Sequence, residues 1–295
     1  MMNLQSYLNE KRLLVENCLR EIFVSLKDVP AILKESMEYM LFSEGKKIRP
    51  ILAIATCESL GKPIDKLLPF ACAIEMIHTY SLIHDDLPSI DNDDIRRGKP
   101  TCHKVFGEAV AILAGDALLT EAFRIMSDNR FTEDVNPKTV KRIIFEIAQA
   151  AGAEGMVGGQ ILDVMYDGQE GSKSIVDYIH WHKTCALIRA SVRVGAIMGG
   201  AKKKELKALT RYGECVGLAF QIVDDILDFE GDEGLVGKRL KKDTAKQTYV
   251  KHYGITTSKL KVEKLIEEAI ESLSFMGERG KILRELAFYI GRRTF

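Results

Sequence analysis

The sequence predicts an all-α protein, and the distribution of proline is the first reason. The 295 residues include seven prolines, and none follows Pro137. Because proline interrupts helices, the stretch from Lys138 to Phe295 is free to be helical. Apolar residues recur there at steps of three or four, whereas the alternation typical of strands is scarce. We predict one all-α domain over residues 1–295, with roughly ten or more helices.

Two segments show the helical spacing most clearly. In 175–198 the residues near one face are Ile175, Ile179, Leu187, Val194 and Met198, and in 216–229 they are Val216, Phe220, Val223 and Leu227. Turn-forming residues predict breaks at 43–50, 61–63, 88–100, 128–137, 168–171, 199–204 and 231–242. These breaks are evenly spread and none resembles a long linker, which favours a single domain.

Composition excludes several classes of protein. Basic and acidic residues number 42 each, so the net charge of zero gives no indication of nucleic-acid binding. None of the six cysteines forms a CxxC pair, which argues against a thiolate zinc site. The first residues lack the apolar core of a signal peptide, and no apolar run is long enough to span a membrane. We expect a cytoplasmic protein with free thiols and no membrane insertion.

An acidic cluster follows one apolar segment, in HDDLPSIDNDDIRRGKP. It includes Asp85, Asp86, Asp91, Asp93 and Asp94. On a regular helix Asp85 and Asp91 would lie about 120° apart. Pro88 disfavours a regular helix between them, so we predict a bulge or loop at 87–90 that returns Asp91 to the face of Asp85. Asp93 and Asp94 are expected to support the arginines that follow.

A second acidic cluster occurs in QIVDDILDFEGD. Asp224 and Asp228 lie about 40° apart on one helix face, where they would repel each other without a cation. The intervening apolar residues indicate a helix packed in a core, and carboxylates that enter a core need partners. Mg²⁺ is a natural partner, because it binds a few carboxylates together with phosphate oxygens.

Basic residues complete the pattern. They are Lys46, Lys47 and Arg49 in SEGKKIRP, Arg96 and Arg97 after the first cluster, Lys183 beside Thr184 in HWHKT, and Lys238 and Lys246 after the second cluster. Arginine forks and lysine charges both suit diphosphate. His78 lies about two turns before Asp85 on nearly the same face and could reach the same ligand. The absence of GxxxxGK[ST] and GxGxxG disfavours P-loop and dinucleotide enzymes.

These motifs carry a family resemblance. GKKIRP, HDDLPSIDNDDIRRGKPTCH, GGQILD, HKT and FQIVDDILD, in this order from about residue 40 onward, resemble the trans-isoprenyl diphosphate synthases. The resemblance is closest to bacterial farnesyl diphosphate synthases. It implies a polyprenyl synthetase domain, folded as a single helical barrel of the isoprenoid synthase type around a deep cavity, in a homodimer. It also implies Mg²⁺-assisted condensation of isopentenyl diphosphate with dimethylallyl or geranyl diphosphate.

The resemblance also implies roles for individual residues. Asp85, Asp91, Asp224 and Asp228 would hold Mg²⁺, with three ions per active site. Lys46, Arg49, His78 and Arg97 match positions that bind isopentenyl diphosphate. Arg96, Lys183, Thr184, Gln221 and Lys238 match positions on the allylic side. Catalytic roles would fall to Lys183, Thr184, Gln221 and Asp86. Three positions depart from the usual family pattern: Glu44, Lys47 and Lys241.

Chain length is set in this family by the residues just before the first aspartate motif. Here they are Tyr80 and Ser81, which lie along the wall where a growing tail would descend. The bulky Tyr80 resembles the aromatic floor of farnesyl-making enzymes. We therefore expect a fifteen-carbon product.

Three alternative functions stay open on the sequence alone. A geranylgeranyl diphosphate synthase would share the first aspartate motif and make a longer product. A class I terpene cyclase also uses two Mg²⁺ clusters, but it would not need both GKKIRP and RRGKP. A non-catalytic subunit of a heteromeric synthase would not need to keep its metal-binding aspartates.

Overall fold

The computed structural model describes residues 3–230 and 246–292. The chain forms two compact units, one made of residues up to 54 together with 64–141, the other of 55–63 together with 142 onward. The prediction of one domain over residues 1–295 stays a prediction. In the described residues no helix is both long and apolar enough to cross a membrane. All six cysteines are free thiols.

The described elements are nearly all helical, which confirms the predicted fold class. In chain order they are α1 Leu4–Val24, α2 Ala31–Leu41, α3 Ile48–Ser59, α4 Leu68–Asp85, β1 Ile95–Arg96, β2 Lys99–Pro100, α5 Cys102–Phe106, α6 Glu108–Ser127, α7 Asn129–Thr132, α8 Pro137–Ala151, α9 Met156–Met165, α10 Lys173–Ile179, a π-helix His180–Cys185, α11 Ala186–Met198, α12 Lys203–Glu230, α13 Tyr249–Tyr253, α14 Ile255–Ser272, a 3₁₀-helix Ser274–Gly280 and α15 Lys281–Gly291. The two short strands pair antiparallel.

Helix α4 forms the centre of the first unit. Its side chains are buried on nearly every side, as expected for a helix that is apolar all round. It packs against α1, α2 and most extensively α6. Small residues on α6 permit this approach: a methyl group on Gly115 would lie only 2.1 Å from Nε2 of His84. The helix that carries the first acidic cluster is therefore held rigidly in a core.

Helix α12 has the same role in the second unit. It packs against α11, the π-helix and α14. Its buried residues recur at steps of three or four and include Leu209, Val216, Val223 and Ile226. This is the spacing that the sequence predicted, and it leaves Asp224 and Asp228 on a partly exposed face.

The predicted break at 231–242 lies outside the described residues. Elsewhere the structure differs from the sequence-based helix pattern in several places, and two of them concern helices that carry predicted site residues. Helix α3 begins at Ile48 instead of near Pro50, which is possible because proline is tolerated in the first turn. The segment 175–198 is not one regular helix, because the π-helix lies in its middle. The wider π turn shifts the register, so Ile179, Leu187 and Val194 are buried while Ile175 and Met198 are only half-buried.

Candidate active site

The first acidic cluster lies where α4 ends and the backbone folds back on it. The helix stops at Asp85. The amide of Asp91 then donates a hydrogen bond to the carbonyl of Asp85 at 2.9 Å, and the amide of Asp93 donates to the carbonyl of Asp86 at 3.2 Å. These contacts confirm the predicted departure from helical geometry around Pro88. They bring Asp91 back beside Asp85.

Arg96 lies among the aspartates of this loop. It donates through Nε to Asp86 at 2.8 Å and through Nη2 to the same carboxylate oxygen. Its Nη2 is also 3.2 Å from Asp93 and 3.8 Å from Asp85. Asp86 is fully buried. Burial raises the pKa of its carboxyl group, and the charge of Arg96 opposes that shift. Asp86 therefore orients Arg96, while Asp94 pairs with Lys104 at 2.8 Å.

Asp85 and Asp91 have the chemistry that Mg²⁺ requires. Both side chains are partly exposed, and their backbones are joined by a hydrogen bond, so their hard oxygen donors lie at one loop. Among residues 3–230 and 246–292, no group of three or more His, Cys, Asp or Glu side chains is arranged as a metal site. Mg²⁺ fits such an incomplete set, because it takes one or two carboxylates and completes its shell with water and substrate phosphate.

A cationic cluster lies around His78 in the first unit, and Arg96 connects it with the acidic loop. Burial lowers the pKa of His78 well below its ordinary value, and the positive charges of Arg49, Arg97, Lys47 and Arg96 lower it further. His78 is therefore a neutral imidazole next to several cations. Arg97 donates from Nη1 to the hydroxyl of Ser43 at 3.1 Å. Concentrated guanidinium groups beside a neutral imidazole are suited to bind a diphosphate.

The predicted isopentenyl diphosphate ligands thus lie in this unit. Arg49, His78 and Arg97 belong to the cationic cluster, and Lys46 is exposed on the loop that precedes α3. Lys47, next to it, is buried. The sequence did not distinguish these two lysines.

The π-helix carries Lys183 and Thr184 in the second unit. Gly159 of α9 lies directly against it: a methyl group on Gly159 would be 2.2 Å from the Lys183 amide nitrogen and 2.7 Å from its Cα. Both are main-chain atoms that cannot rotate away. π-Helical turns occur frequently at functional sites, and this one packs directly against a glycine of the neighbouring helix.

Asp163 holds Lys183 in place. Its carboxylate accepts a hydrogen bond from Lys183 Nζ at 2.6 Å and lies 3.6 Å from Lys246 Nζ. Asp163 is 7% exposed. The sequence alone did not indicate this aspartate as a site residue, although it is the last residue of the GGQILD motif. A single carboxylate in an apolar helix gave no signal of two lysine partners.

A chain of hydrogen bonds connects Thr184 to the second acidic cluster. The hydroxyl of Thr184 donates to Gln221 Oε1 at 2.5 Å, and Gln221 Nε2 donates to Asp225 at 3.0 Å. The other oxygen of Asp225 accepts the Tyr249 amide at 2.5 Å and lies 3.1 Å from His180 Nε2. Asp225 therefore fixes the orientation of the Gln221 amide. Asp225, His180 and Tyr249 were not selected from the sequence.

The remaining predicted site residues are placed as follows. Asp224 and Asp228 lie one turn apart on α12, in the second unit, whereas Asp85 and Asp91 belong to the first. Lys238 and Lys241 lie outside the described residues. Tyr80 is buried, with its ring edge-on to His84 at a centroid distance of 5.7 Å, and burial raises its pKa to about 12. The hydroxyl of Ser81, half-buried, donates to the carbonyl of His78.

Comparison with known proteins points to one family. The sequence profile described as polyprenyl synthetase matches residues 30–282. A farnesyl diphosphate synthase of Geobacillus stearothermophilus is 47% identical over 270 residues, covering 91% of this chain and 90% of the relative. A geranylgeranyl diphosphate synthase of Cyanophora paradoxa is 42% identical over 295 residues, covering 99% and 97%.

A solved structure agrees with these matches. The geranyltransferase of Helicobacter pylori, in complex with magnesium and isoprenyl diphosphate, superposes with a TM-score of 0.85 at 30% identity. The alignment covers 98% of this chain and 97% of that one. The similarity confirms the predicted all-α fold of the isoprenoid synthase type.

Proposed function

Because the chain belongs to the polyprenyl synthetase family, we propose that it condenses isopentenyl diphosphate with dimethylallyl or geranyl diphosphate to give farnesyl diphosphate. One observation carries this proposal: the first unit contains two different polar sets. The carboxylates of Asp85 and Asp91 form one, and the cations around His78 form the other. A synthase must bind two diphosphates, whereas a terpene cyclase binds one.

The acidic residues hold the metal in this proposal. Asp85 and Asp91 would hold Mg²⁺ in the first unit, and Asp224 and Asp228 would hold it in the second, with three ions for the reaction. The magnesium bound in the Helicobacter pylori relative supports the use of this metal. When bound, magnesium supplies positive charge to the oxygens of the departing diphosphate. Asp86 is a positioning residue, because its carboxylate is fully buried against Arg96.

The diphosphate-binding residues of the proposal divide between two substrates. Lys46, Arg49, His78 and Arg97 bind isopentenyl diphosphate, and Arg96, Lys183, Thr184, Gln221 and Lys238 act on the allylic side. Lys183 and Arg96 are each held by a buried carboxylate, so their charges are fixed before substrate arrives. Such preorganised charge stabilises a leaving diphosphate without reorganisation at the moment of reaction.

The condensation needs no nucleophilic side chain. The allylic C1–O bond breaks and leaves an allylic cation, and the double bond of isopentenyl diphosphate forms the new bond to C1. A proton is then lost from C2 of the isopentenyl unit to the released diphosphate. The hydroxyl of Thr184 and the amide of Gln221, fixed by Asp225, provide polar groups beside Lys183. Apolar helix faces keep water from the cation.

Tyr80 supports a fifteen-carbon product. Its side chain is buried on α4, less than two turns before Asp85, where a bulky ring limits the length of a tail. Ser81, one residue on and half-buried, is the other residue that the family resemblance assigns to chain length. Relatives with both product lengths match the chain at similar identity, which makes a geranylgeranyl diphosphate synthase the second candidate.

A homodimer and a cytoplasmic location complete the proposal. Each unit exposes apolar side chains along one helix: Ile112 and Leu113 on α6, and Val157, Ile161 and Met165 on α9. Exposed apolar patches of this kind mark protein contacts. The six free cysteines are typical of a reducing compartment.

One assay tests the function. The purified protein is incubated with Mg²⁺, labelled isopentenyl diphosphate and geranyl diphosphate, and the product is sized by chromatography. We expect labelled farnesyl diphosphate. A labelled twenty-carbon product would establish the geranylgeranyl alternative, and no incorporation would refute both synthase functions. An unlabelled hydrocarbon would indicate a cyclase.

A further inference from the structure

A buried ion pair lies beneath the cationic cluster. Glu75 of α4 is 1% exposed, and its Oε1 is 3.2 Å from Nζ of Lys47, whose side chain is also fully buried. A carboxylate in an apolar helix is unfavourable unless it is paired. The motif EMIH gave no indication that Glu75 has such a partner.

Lys47 ties the α2–α3 loop (residues 42–47) to two helices. Its Nζ donates to the carbonyl of Leu41, the last residue of α2, at 2.7 Å, and pairs with Glu75 of α4. Its backbone has a φ of +47°, a region that residues other than glycine seldom adopt. Such a backbone conformation persists only where surrounding contacts stabilise it. Here the stabilising contact is the ion pair between Lys47 and Glu75.

The α2–α3 loop in turn seats Arg97. Arg97 donates to Ser43 of this loop at 3.1 Å, and a methyl group on Gly45 would be 2.9 Å from its guanidinium carbon. The arginine is therefore packed against the loop that Lys47 fixes. A displacement of the loop would move the Arg97 guanidinium, and it would also move Lys46 and Arg49, which flank Lys47.

Glu75 is also the carboxylate on α4 nearest in sequence to His78, one helical turn before it. Its charge acts on Arg97, where it opposes the lowering of the arginine pKa that burial causes. The cationic cluster thus has a buried anion beneath it. This geometry allows Lys47, Arg49 and Arg97 to be close together before any diphosphate is bound.

We infer that Glu75 is a positioning residue for isopentenyl diphosphate, acting through Lys47 and the α2–α3 loop. The inference rests on the proposed function and extends it to residues that make no contact with substrate. Lys47 connects the α2–α3 loop to Glu75, and the residues that contact the diphosphate are its neighbours Lys46 and Arg49 together with Arg97. Its position inside GKKIRP therefore has a different purpose from that of Lys46.

The test uses opposite changes of charge. Glu75→Gln adds one positive charge to the cluster, and Lys47→Met removes one. If charge alone mattered, the first would lower the KM for isopentenyl diphosphate and the second would raise it. Positioning predicts that both raise it about tenfold, with the KM for geranyl diphosphate within twofold of wild type. The double variant should have a KM for isopentenyl diphosphate no higher than that of either single variant, because both substitutions remove the same Glu75–Lys47 ion pair.

A matched control separates positioning from stability. Glu146 of α8 is another largely buried carboxylate paired with an arginine, Arg193, so Glu146→Gln should lower Tm without changing either KM. Lys47→Arg keeps the charge and should restore a KM within twofold of wild type. If Glu75→Gln does not fold, the double variant carries the test. It leaves the net charge of the cluster unchanged, so charge alone predicts a wild-type KM for isopentenyl diphosphate, whereas positioning predicts a KM about tenfold higher.

The outcomes are distinct. A normal or lowered KM for isopentenyl diphosphate in a folded Glu75→Gln protein would overturn the inference. So would equal increases in KM for both substrates. A wild-type protein that makes no product would refute the proposed function, and the inference with it.

Discussion

Replacing Gly159 by alanine should displace Lys183 and reduce turnover of the allylic substrate. The new methyl group would lie 2.2 Å from the Lys183 amide nitrogen and 2.8 Å from the carbonyl carbon of His182. Ordinary contacts begin near 3.4 Å. Since only main-chain atoms are involved, α9 and the π-helix must separate by about 1 Å. This separation would stretch the 2.6 Å hydrogen bond from Lys183 to Asp163, which is one turn beyond Gly159.

The magnitude follows from this displacement. A misplacement of about 1 Å can cost about 100-fold in rate, or about 2.7 kcal/mol of transition-state stabilisation. Overpacking costs about 1–3 kcal/mol of folding free energy, and replacing a helical glycine returns about 0.5–1 kcal/mol. We therefore expect kcat/KM for geranyl diphosphate to fall about 100-fold, while Tm falls by only a few degrees.

Steady-state kinetics and thermal unfolding check this prediction. The matched control is Gly213→Ala on α12, where the added methyl group would meet Arg189 Cα at 3.1 Å, a far smaller overlap. We expect this control to keep its kcat/KM within twofold. The reasoning would be wrong if Gly159→Ala kept wild-type kcat/KM, or if it lost activity only in proportion to unfolding.

Three further changes test other parts of the site. Asp85→Ala should lower kcat by orders of magnitude with an unchanged helical circular dichroism spectrum, whereas Asp94→Ala on the same loop should remain within a few-fold; near-normal turnover of Asp85→Ala would refute its role in metal binding. Tyr80→Ala should lengthen the product beyond fifteen carbons, and chromatography showing unchanged farnesyl diphosphate would contradict the proposal that the Tyr80 ring limits product length. Asp225→Asn replaces one acceptor by a donor and frees the Gln221 amide, so we expect about a tenfold loss in kcat and about 1–3 kcal/mol lower stability; an unchanged kcat would mean that the amide orientation is irrelevant.

The sequence predicted those parts of the site that are local along the chain. The return of Asp91 to Asp85 followed from helix geometry and one proline, and the hydrogen bond between their backbones confirms it. The shared face of Asp224 and Asp228 followed from their spacing of four. Both inferences concern residues within about one or two helical turns of each other, where backbone geometry alone determines which side chains share a face.

The partners of lone charges could not be found in the same way. Asp163 meets Lys183 across 20 residues of sequence, and Asp225 meets the Tyr249 amide across 24. Each is a buried carboxylate on a helix, and its partner is supplied by another helix packed against it. The close packing of the π-helix against α9 has the same origin, because Gly159 leaves no side chain between them. Periodicity describes one helix at a time and contains no information about its neighbour.

Two of the three DD pairs, Asp85–Asp86 and Asp224–Asp225, show how local and tertiary requirements combine. Adjacent residues on a helix point about 100° apart, so two neighbouring aspartates cannot both face one ligand. In each pair the first residue, Asp85 or Asp224, is partly exposed, while the second, Asp86 or Asp225, is buried. The buried member binds a group of its own unit: Arg96 in one case, and the Tyr249 amide with Gln221 in the other. In these two pairs one carboxylate is therefore open to a ligand, while the other fixes the residues around it, and the proposed metal binding needs only Asp85 and Asp224 from them.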